Sequence, residues 1–362
     1  MPTIRAAVAH EFGQPLSIEP ITLRPPQAGE VEVDLEACAV CHSDISLLEG
    51  GWGGELPAVY GHEAAGRISA VGPGVKGYAI GDTVLVTLIR ACSECAPCIN
   101  GAPVSCENPT AETSPIKLED GRSAAQGLSC GAFADRVVVD TSQLAPIPAD
   151  MPMDAACLLS CGVITGVGAV VNTAGFRAGQ IAVVIGAGGV GLNAIQGARI
   201  AGASRIIAVD MLEDKLQIAR DFGATDTILA SEPKPWNTLR KITDGRMADA
   251  VFVTVGASSA YDTAPRYLAS RGKVILIGLP HLGDKPSLDP LLLASKGQSL
   301  IGCKMGDVVL RRDIPWMVEL YQQGRLKLDQ LISGHWSLEQ INQAIDDTRS
   351  GAAKRNVIWL KR

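Results

Sequence analysis

The chain, 362 residues long, is short of several things. No stretch approaches about 18 uninterrupted apolar residues, which argues against a helical membrane span. No long basic run is present and the net charge is -6. That balance disfavours a nucleic-acid groove or a patch for anionic lipid, and fits a small organic substrate better. The opening MPTIRAAVAHEFG has no positive segment followed by a long apolar one. It does not read as an export signal, and the cytoplasm is the expected compartment. Internal repeats and low-complexity tracts are missing too. Ten cysteines in a chain of this length are too sparse for a disulfide scaffold. Without an export signal, reduced thiols are expected to serve as metal ligands.

What is present divides into two patterns. The first half carries short β-branched segments bounded by Gly, Pro or Asp: VEVDLEACAV, AAGRISAV, GDTVLVT and FADRVVVD. A mainly β domain is expected over 1–157. Within it, 107–130 shows little periodicity and reads as a long loop. From Gln180 strands and helices alternate. IAVVIG, RIIAVD, DAVFVTVG and KVILIG are continuous apolar runs, as buried parallel strands are, and VGLNAIQGARIAG and EDKLQIARDFG read as helices between them. An α/β domain with a parallel sheet is expected over 158–302. The remainder, 303–362, ends in the strand-like NVIWL and is expected to return to the first domain.

Gly186-Ala187-Gly188-Gly189-Val190-Gly191 follows one of these strands and opens a helix. In a dinucleotide site the first glycine permits the tight turn, the second lets backbone approach a pyrophosphate, and the last lets helix and strand pack closely. The helix N-terminus supplies N–H groups for the anion. Asp210 ends the next strand, placed to accept from ribose hydroxyls and to repel a 2′-phosphate, so NAD is expected over NADP. Lys215 lies in the following helix and is a further candidate for the ribose. A flavin site, another nucleotide site or a glycine-rich packing turn is the alternative.

CSECAPCINGAPVSC places Cys92, Cys95, Cys98 and Cys106 at C-x2-C-x2-C-x7-C spacing. Four thiolates around one tetrahedral ion make a closed structural zinc site. The spacing also permits an iron–sulfur reading, and isolated buried thiols are the plainer alternative. A second set is dispersed: Cys41 in ACAVCHSD, His62 and Glu63 in YGHEAAG, and Cys161 in SCGVITG. Each alone reads as an ordinary core residue. Two cysteines and a histidine together leave a fourth zinc position for water or substrate.

These motifs jointly resemble the zinc-dependent, medium-chain alcohol dehydrogenases over nearly the whole chain. The resemblance implies an α/β protein with a mainly β, GroES-like catalytic domain and a Rossmann NAD-binding domain. It implies two zinc ions per chain, a catalytic one on Cys41, His62 and Cys161 and a structural one on the four clustered cysteines. Glu63 is implied behind the catalytic zinc, Asp44 as the partner that orients His62, and His42 and Arg355 on the NAD pyrophosphate. Ser43 is implied to hydrogen-bond the substrate oxygen and begin proton transfer. Ser46 stands where relatives carry a histidine of the proton relay, so that route is incomplete here. Trp52, Leu88 and Leu128 are implied to line an apolar substrate pocket, with Gly127 leaving space. The implied reaction is reversible oxidation of a primary or secondary alcohol to an aldehyde or ketone, with hydride passing to nicotinamide. Glutathione-dependent formaldehyde dehydrogenase, acting on S-hydroxymethylglutathione, is the alternative. It is disfavoured because Thr110 stands where that branch has an arginine and Trp52 supplies no polar group. A polyol dehydrogenase is a further alternative, and a turnover-free NAD sensor or a four-cysteine interaction module are readings from other classes. A homodimer is expected by resemblance, with a tetramer possible.

Overall fold

The computed structural model describes residues 3–108 and 113–360. It forms two compact units, Met1–Cys161 with Val309–Arg362, and Gly162–Val308.

The first unit is built on two mainly antiparallel sheets, each with one parallel pair. Its central strand, Glu30–Val40, shows why. Val31, Val33 and Leu35 are buried at a period of two, with Glu32, Asp34 and Glu36 alternating between them. From Ala37 to Val40 every residue is fully buried, so this end of the strand runs under cover on both faces. Glu63–Val71 pairs on one side, with Ala39 opposite Glu63. Arg355–Trp359 pairs on the other, with Val40 opposite Asn356. Both pairings are antiparallel. One further step in each register brings Cys41, His62, Glu63 and Arg355 to the same end of the sheet. Thr83–Val86 and Leu144–Pro146 extend the sheet beyond Glu63–Val71, and Ile332–Ser337 extends it beyond Arg355–Trp359.

A five-stranded sheet completes this unit, in the order Ile116–Leu118, Ser17–Leu23, Thr3–Ala9, Ala58–Val59, Ala125–Gln126. Two of these strands fall in the segment expected to be one long loop. They are two and three residues long. That is too short to show an alternation, and their pairing partners are distant in sequence.

The second unit holds six parallel strands in the order Asp226–Leu229, Arg205–Asp210, Ile181–Ile185, Ala248–Val253, Leu268–Leu276, Ser299–Gly302. Numbered along the chain this is 3-2-1-4-5-6, the doubly wound order of dinucleotide folds. The strand Ile181–Ile185 is buried throughout, which explains its unbroken apolar sequence. Each such Val or Ile contributes roughly 1.5–3 kcal/mol by leaving water. The order of strand addition reverses between Ile181–Ile185 and Ala248–Val253, so the carboxyl end of Ile181–Ile185 is where a ligand crevice forms in this fold.

Candidate active site

Helix His42–Leu48 starts immediately after the central strand, with Cys41 as its N-cap. Asp44, the third residue of the helix, folds back. Its Oδ2 accepts from the Cys41 backbone N–H at 3.1 Å. Its Oδ1 accepts from Gly61 N–H at 3.0 Å and faces His62 Nδ1 at 3.0 Å. Asp44 is buried and saturated by these donors. It thereby puts the imidazole proton on Nδ1 and leaves Nε2 as the ligating nitrogen. His62 Nε2 is buried without a hydrogen-bond partner among the described residues. Burial pushes the imidazole pKa down, but the charge and hydrogen bond of Asp44, together with the neighbouring Cys41 sulfur, hold it well above the ordinary value.

Cys41, His62, Glu63 and Cys161 bring one ligand atom each within 4.8 Å of one another. Sulfurs sharing a tetrahedral zinc lie about 3.8 Å apart. Two buried thiols, an orphaned imidazole nitrogen and this spacing fit a metal ion. Cys41 and Cys161 perturb each other's thiols in opposite directions. The Cys161 hydrogen bond lowers the Cys41 thiol well below its ordinary range against the opposing effect of burial, with His62 and Arg355 assisting. Cys161 is driven up correspondingly by Cys41 and by burial. Its neighbour Ser160 is tied to Ala64 O at 3.0 Å, which anchors this stretch to the strand carrying Glu63.

Glu63 is fully buried, and burial raises its carboxyl to about 8 against the charge of Arg355. Arg355 Nη1 lies 3.2 Å from Glu63 Oε1 and donates to Val40 O at 3.4 Å. The arginine assigned by resemblance to pyrophosphate is thus buried beside the metal cluster. Nothing in the local sequence of GAAKRNVIWL signals that pairing; it follows from the register of Arg355–Trp359. Ser43 is half-buried at the second position of its helix, so it is not the N-cap, and His42 is exposed at the first.

The four clustered cysteines also converge within 4.8 Å, and none of the ten cysteines is in a disulfide among the described residues. Backbone N–H groups point at the sulfurs. Cys92 Sγ accepts from Glu94 at 3.5 Å and Cys95 at 3.4 Å, and Cys106 Sγ accepts from Cys92 at 3.2 Å and Asn108 at 3.3 Å. Donation from Glu94 and Cys95 lowers the Cys92 thiol to about 6. Four sulfurs fill a tetrahedral ion and leave no position for substrate.

In the second unit, the glycine loop divides its labour as expected of a dinucleotide turn. Gly186 has φ +98°. A Cβ at Gly191 would sit 1.8 Å from Gly186 O, so helix and turn meet there. A Cβ at Gly188 would meet nothing within 4 Å, so the backbone is bare on that side. Gly188 caps the helix Gly189–Ile200 without a side-chain hydrogen bond, leaving first-turn N–H groups at Gly189 and Val190 for an anion. Asp210 Oδ2 accepts from Ala187 N–H at 2.7 Å and Oδ1 from Leu212 N–H at 3.1 Å, so the ribose candidate also braces the loop. Lys215 is half-buried near the start of helix Glu213–Phe222.

Trp52, Leu88 and Leu128 are half-buried. Leu88 packs on the core of the first unit, and Leu128 holds a left-handed backbone, φ 50°. Gly127 corrects the expectation of open space. A Cβ there would lie 2.6 Å from Tyr60 Cδ1 and 2.8 Å from Val59 O. The missing side chain allows a close backbone approach rather than vacating a pocket. Thr110 lies outside the described residues.

Two family models match this chain: an alcohol dehydrogenase GroES-like domain over residues 27–149 and a zinc-binding dehydrogenase over residues 189–323. S-(hydroxymethyl)glutathione dehydrogenase of Paracoccus denitrificans is 34% identical, over 98% of this chain and 99% of that protein. Alcohol dehydrogenase class-3 of Myxine glutinosa is 35% identical, over 98% and 97%. The chain belongs to the zinc-binding alcohol dehydrogenase family. Among solved structures of the family, an alcohol dehydrogenase zinc-binding domain protein from Burkholderia ambifaria superposes with a TM-score of 0.95 at 35% identity, covering 100% of both chains. Benzyl alcohol dehydrogenase from Acinetobacter calcoaceticus gives 0.93 at 30% identity, also covering 100% of both. Family membership makes the chain a zinc-dependent, nicotinamide-linked oxidoreductase of an alcohol or aldehyde, with a GroES-like unit and a Rossmann-like unit. Among the described residues, no helix is long and apolar enough to cross a membrane.

Proposed function

We propose that the chain oxidises a primary alcohol with NAD, using zinc on Cys41, His62 and Cys161, while a second zinc on Cys92, Cys95, Cys98 and Cys106 holds its lobe together. The convergence of two buried thiols on an orphaned imidazole nitrogen carries this reading. Zinc there supplies a Lewis acid for negative charge developing on the substrate oxygen. The chain's own residues prepare for it. Asp44 fixes the ring of His62, Arg355 balances the buried Glu63, and Ser43 donates to or accepts from the substrate hydroxyl. Asp210 supports NAD over NADP, since a carboxylate repels a 2′-phosphate. Cys161→Ser should abolish turnover and lower zinc from two to one per chain.

The names of the relatives favour S-(hydroxymethyl)glutathione as the alcohol. A second reading, an apolar primary alcohol such as benzyl alcohol, is supported by Trp52, Leu88 and Leu128 and by a neutral residue at 110. NAD reduction with formaldehyde, with and without glutathione, and with benzyl alcohol separates the two. Turnover dependent on glutathione selects the first reading. Equal turnover without it rejects that reading.

A homodimer through the second unit completes the proposal. Ser299–Gly302 is the edge of the parallel sheet, and Leu279, Leu282 and Leu291 are 62%, 77% and 78% exposed. Such an edge and such leucines call for a partner surface. The cytoplasm is the compartment that suits its free thiols.

A further inference from the structure

A cavity of about 480 Å³ opens in the second unit at the amino ends of its parallel strands. Gln180, just before Ile181–Ile185, is in its wall, as are Asp249 and the residues around Arg271. The glycine loop lies at the opposite end of Ile181–Ile185, roughly 17 Å away along a five-residue strand.

The wall is basic in a chain whose net charge is -6. Lys273 Nζ is held at the wall by Ala174 O at 2.9 Å. Arg177 and Arg271 also line the cavity, and among the described residues neither guanidinium has a hydrogen bond or ion pair. The acid in the wall, Asp249, is already committed. Its Oδ2 accepts from Ile181 N–H at 2.7 Å and from Arg246 Nη2 at 3.1 Å. The cavity therefore gathers three cations against one carboxylate, whose Oδ2 is already engaged by Ile181 N–H and Arg246.

The backbone supplies an independent observation. Pairing between Ala248–Val253 and Leu268–Leu276 runs from Ala248 opposite Leu268 to Ala250 opposite Lys273, so the second strand bulges. Arg271 sits in that bulge at φ 62°. A long side chain in left-handed backbone is uncommon, and bulges re-aim side chains at functional places. Here the bulge places an arginine without a hydrogen bond or ion pair among the described residues at the rim of the cavity.

We propose that this cavity binds a small anion carrying two negative charges, a phosphate or a dicarboxylate, through Arg177, Arg271 and Lys273, apart from the dinucleotide loop. The planar guanidinium fork suits both chemistries.

The test uses the full-length, zinc-loaded protein with saturating NAD, so that the glycine loop is filled. Inorganic phosphate and succinate are titrated separately at constant ionic strength, and binding is read by calorimetry and by the shift in Tm. One saturable site per chain is expected with at least one of them, and the arm that saturates identifies the chemistry. Glycine adopts the left-handed backbone freely. Arg271→Gly should therefore keep or raise the anion-free Tm while weakening binding roughly tenfold, the worth of a lost charge-assisted pair. Arg177→Gln carries the same test should Arg271→Gly fail to fold. Absence of saturable binding with both anions, or affinity in the folded variant less than about fivefold below wild type, overturns the proposal.

Discussion

Asp44 Oδ1 sits 3.0 Å from His62 Nδ1, both side chains buried, and the same carboxylate holds the backbone N–H groups of Cys41 and Gly61. One acid thus positions one proposed ligand by its ring and the start of another by its main chain. Asp44→Asn replaces an acceptor by a donor against this ring of donors. Zinc affinity at the Cys41 cluster should fall roughly 10–100-fold, as for other partners of ligating histidines. Chelator competition with metal analysis should show the Cys92 cluster still loaded. Two equally retained zinc ions would defeat this role for Asp44.

Arg355 and Glu63 form a buried ion pair. Arg355→Ala leaves the buried Glu63 carboxyl, already raised to about 8, without its partner and should destabilise the first unit by about 1–3 kcal/mol. Adding Glu63→Gln removes the ionisable group left without its partner and should recover part of that loss, most clearly above pH 8. A double variant less stable than the single one in thermal unfolding would contradict the pairing.

Glu30 gives a pH dependence remote from both metal clusters. Burial pushes its carboxyl up, but hydrogen bonds from Arg24 and the Gln27 N–H at 2.9 Å, with the charges of Arg24 and Arg90, leave it below the ordinary value. A carboxyl depressed in the folded state stabilises above its unfolded pKa, and that contribution is lost as pH falls through the folded pKa. Glu30→Gln should lower stability by about 1–3 kcal/mol at neutral pH and flatten the acid limb of Tm against pH. An unchanged acid limb would show that Glu30 does not carry it.

Asp210 has two duties, and they predict a penalty for switching cofactor. Asp210→Ser should lower kcat/KM for NAD by at least about tenfold and narrow the gap to NADP, because the 2′-phosphate is no longer repelled. Loss of the acceptor for Ala187 N–H should also loosen the glycine loop, so hydrogen exchange at Ala187 should quicken even without cofactor. Unaltered exchange would confine Asp210 to the ribose.

Gly127→Ala should destabilise the first unit by about 1–3 kcal/mol, since its Cβ would press on Val59 O and Tyr60. A variant as stable as wild type, with activity extended to bulkier alcohols, would restore the reading of Gly127 as pocket space.

How much could be read in advance depended on distance along the chain. The four cysteines from Cys92 and the glycine loop from Gly186 are local: a few residues of turn bring their groups together, so spacing alone points to them. Cys41, His62 and Cys161 were reachable only by resemblance, because pairing of Glu30–Val40 with Glu63–Val71 brings the first two together, the Ser160 contact to Ala64 brings in the third, and no periodicity states a register. Arg355 lies 315 residues from its carbonyl partner Val40, and its burial on Glu63 left no mark in its neighbours. The strands at 116–118 and 125–126 were missed because two or three residues cannot alternate.

Arg355–Trp359 is laid down between Ile332–Ser337 and Glu30–Val40, yet it is made long after the strand it covers. Translation at about 5–20 residues per second separates Cys161 from Arg355 by roughly 10–40 s. Through that interval the nascent chain holds both proposed ligand thiols and the Glu63 carboxylate while the cation that balances them has not been synthesised. From Ala37 to Val40 the central strand meanwhile offers an unpaired edge to any neighbouring chain. Closure of this edge therefore waits for residues 355–359, and a chain stopped before 355 is the form most exposed to mispairing.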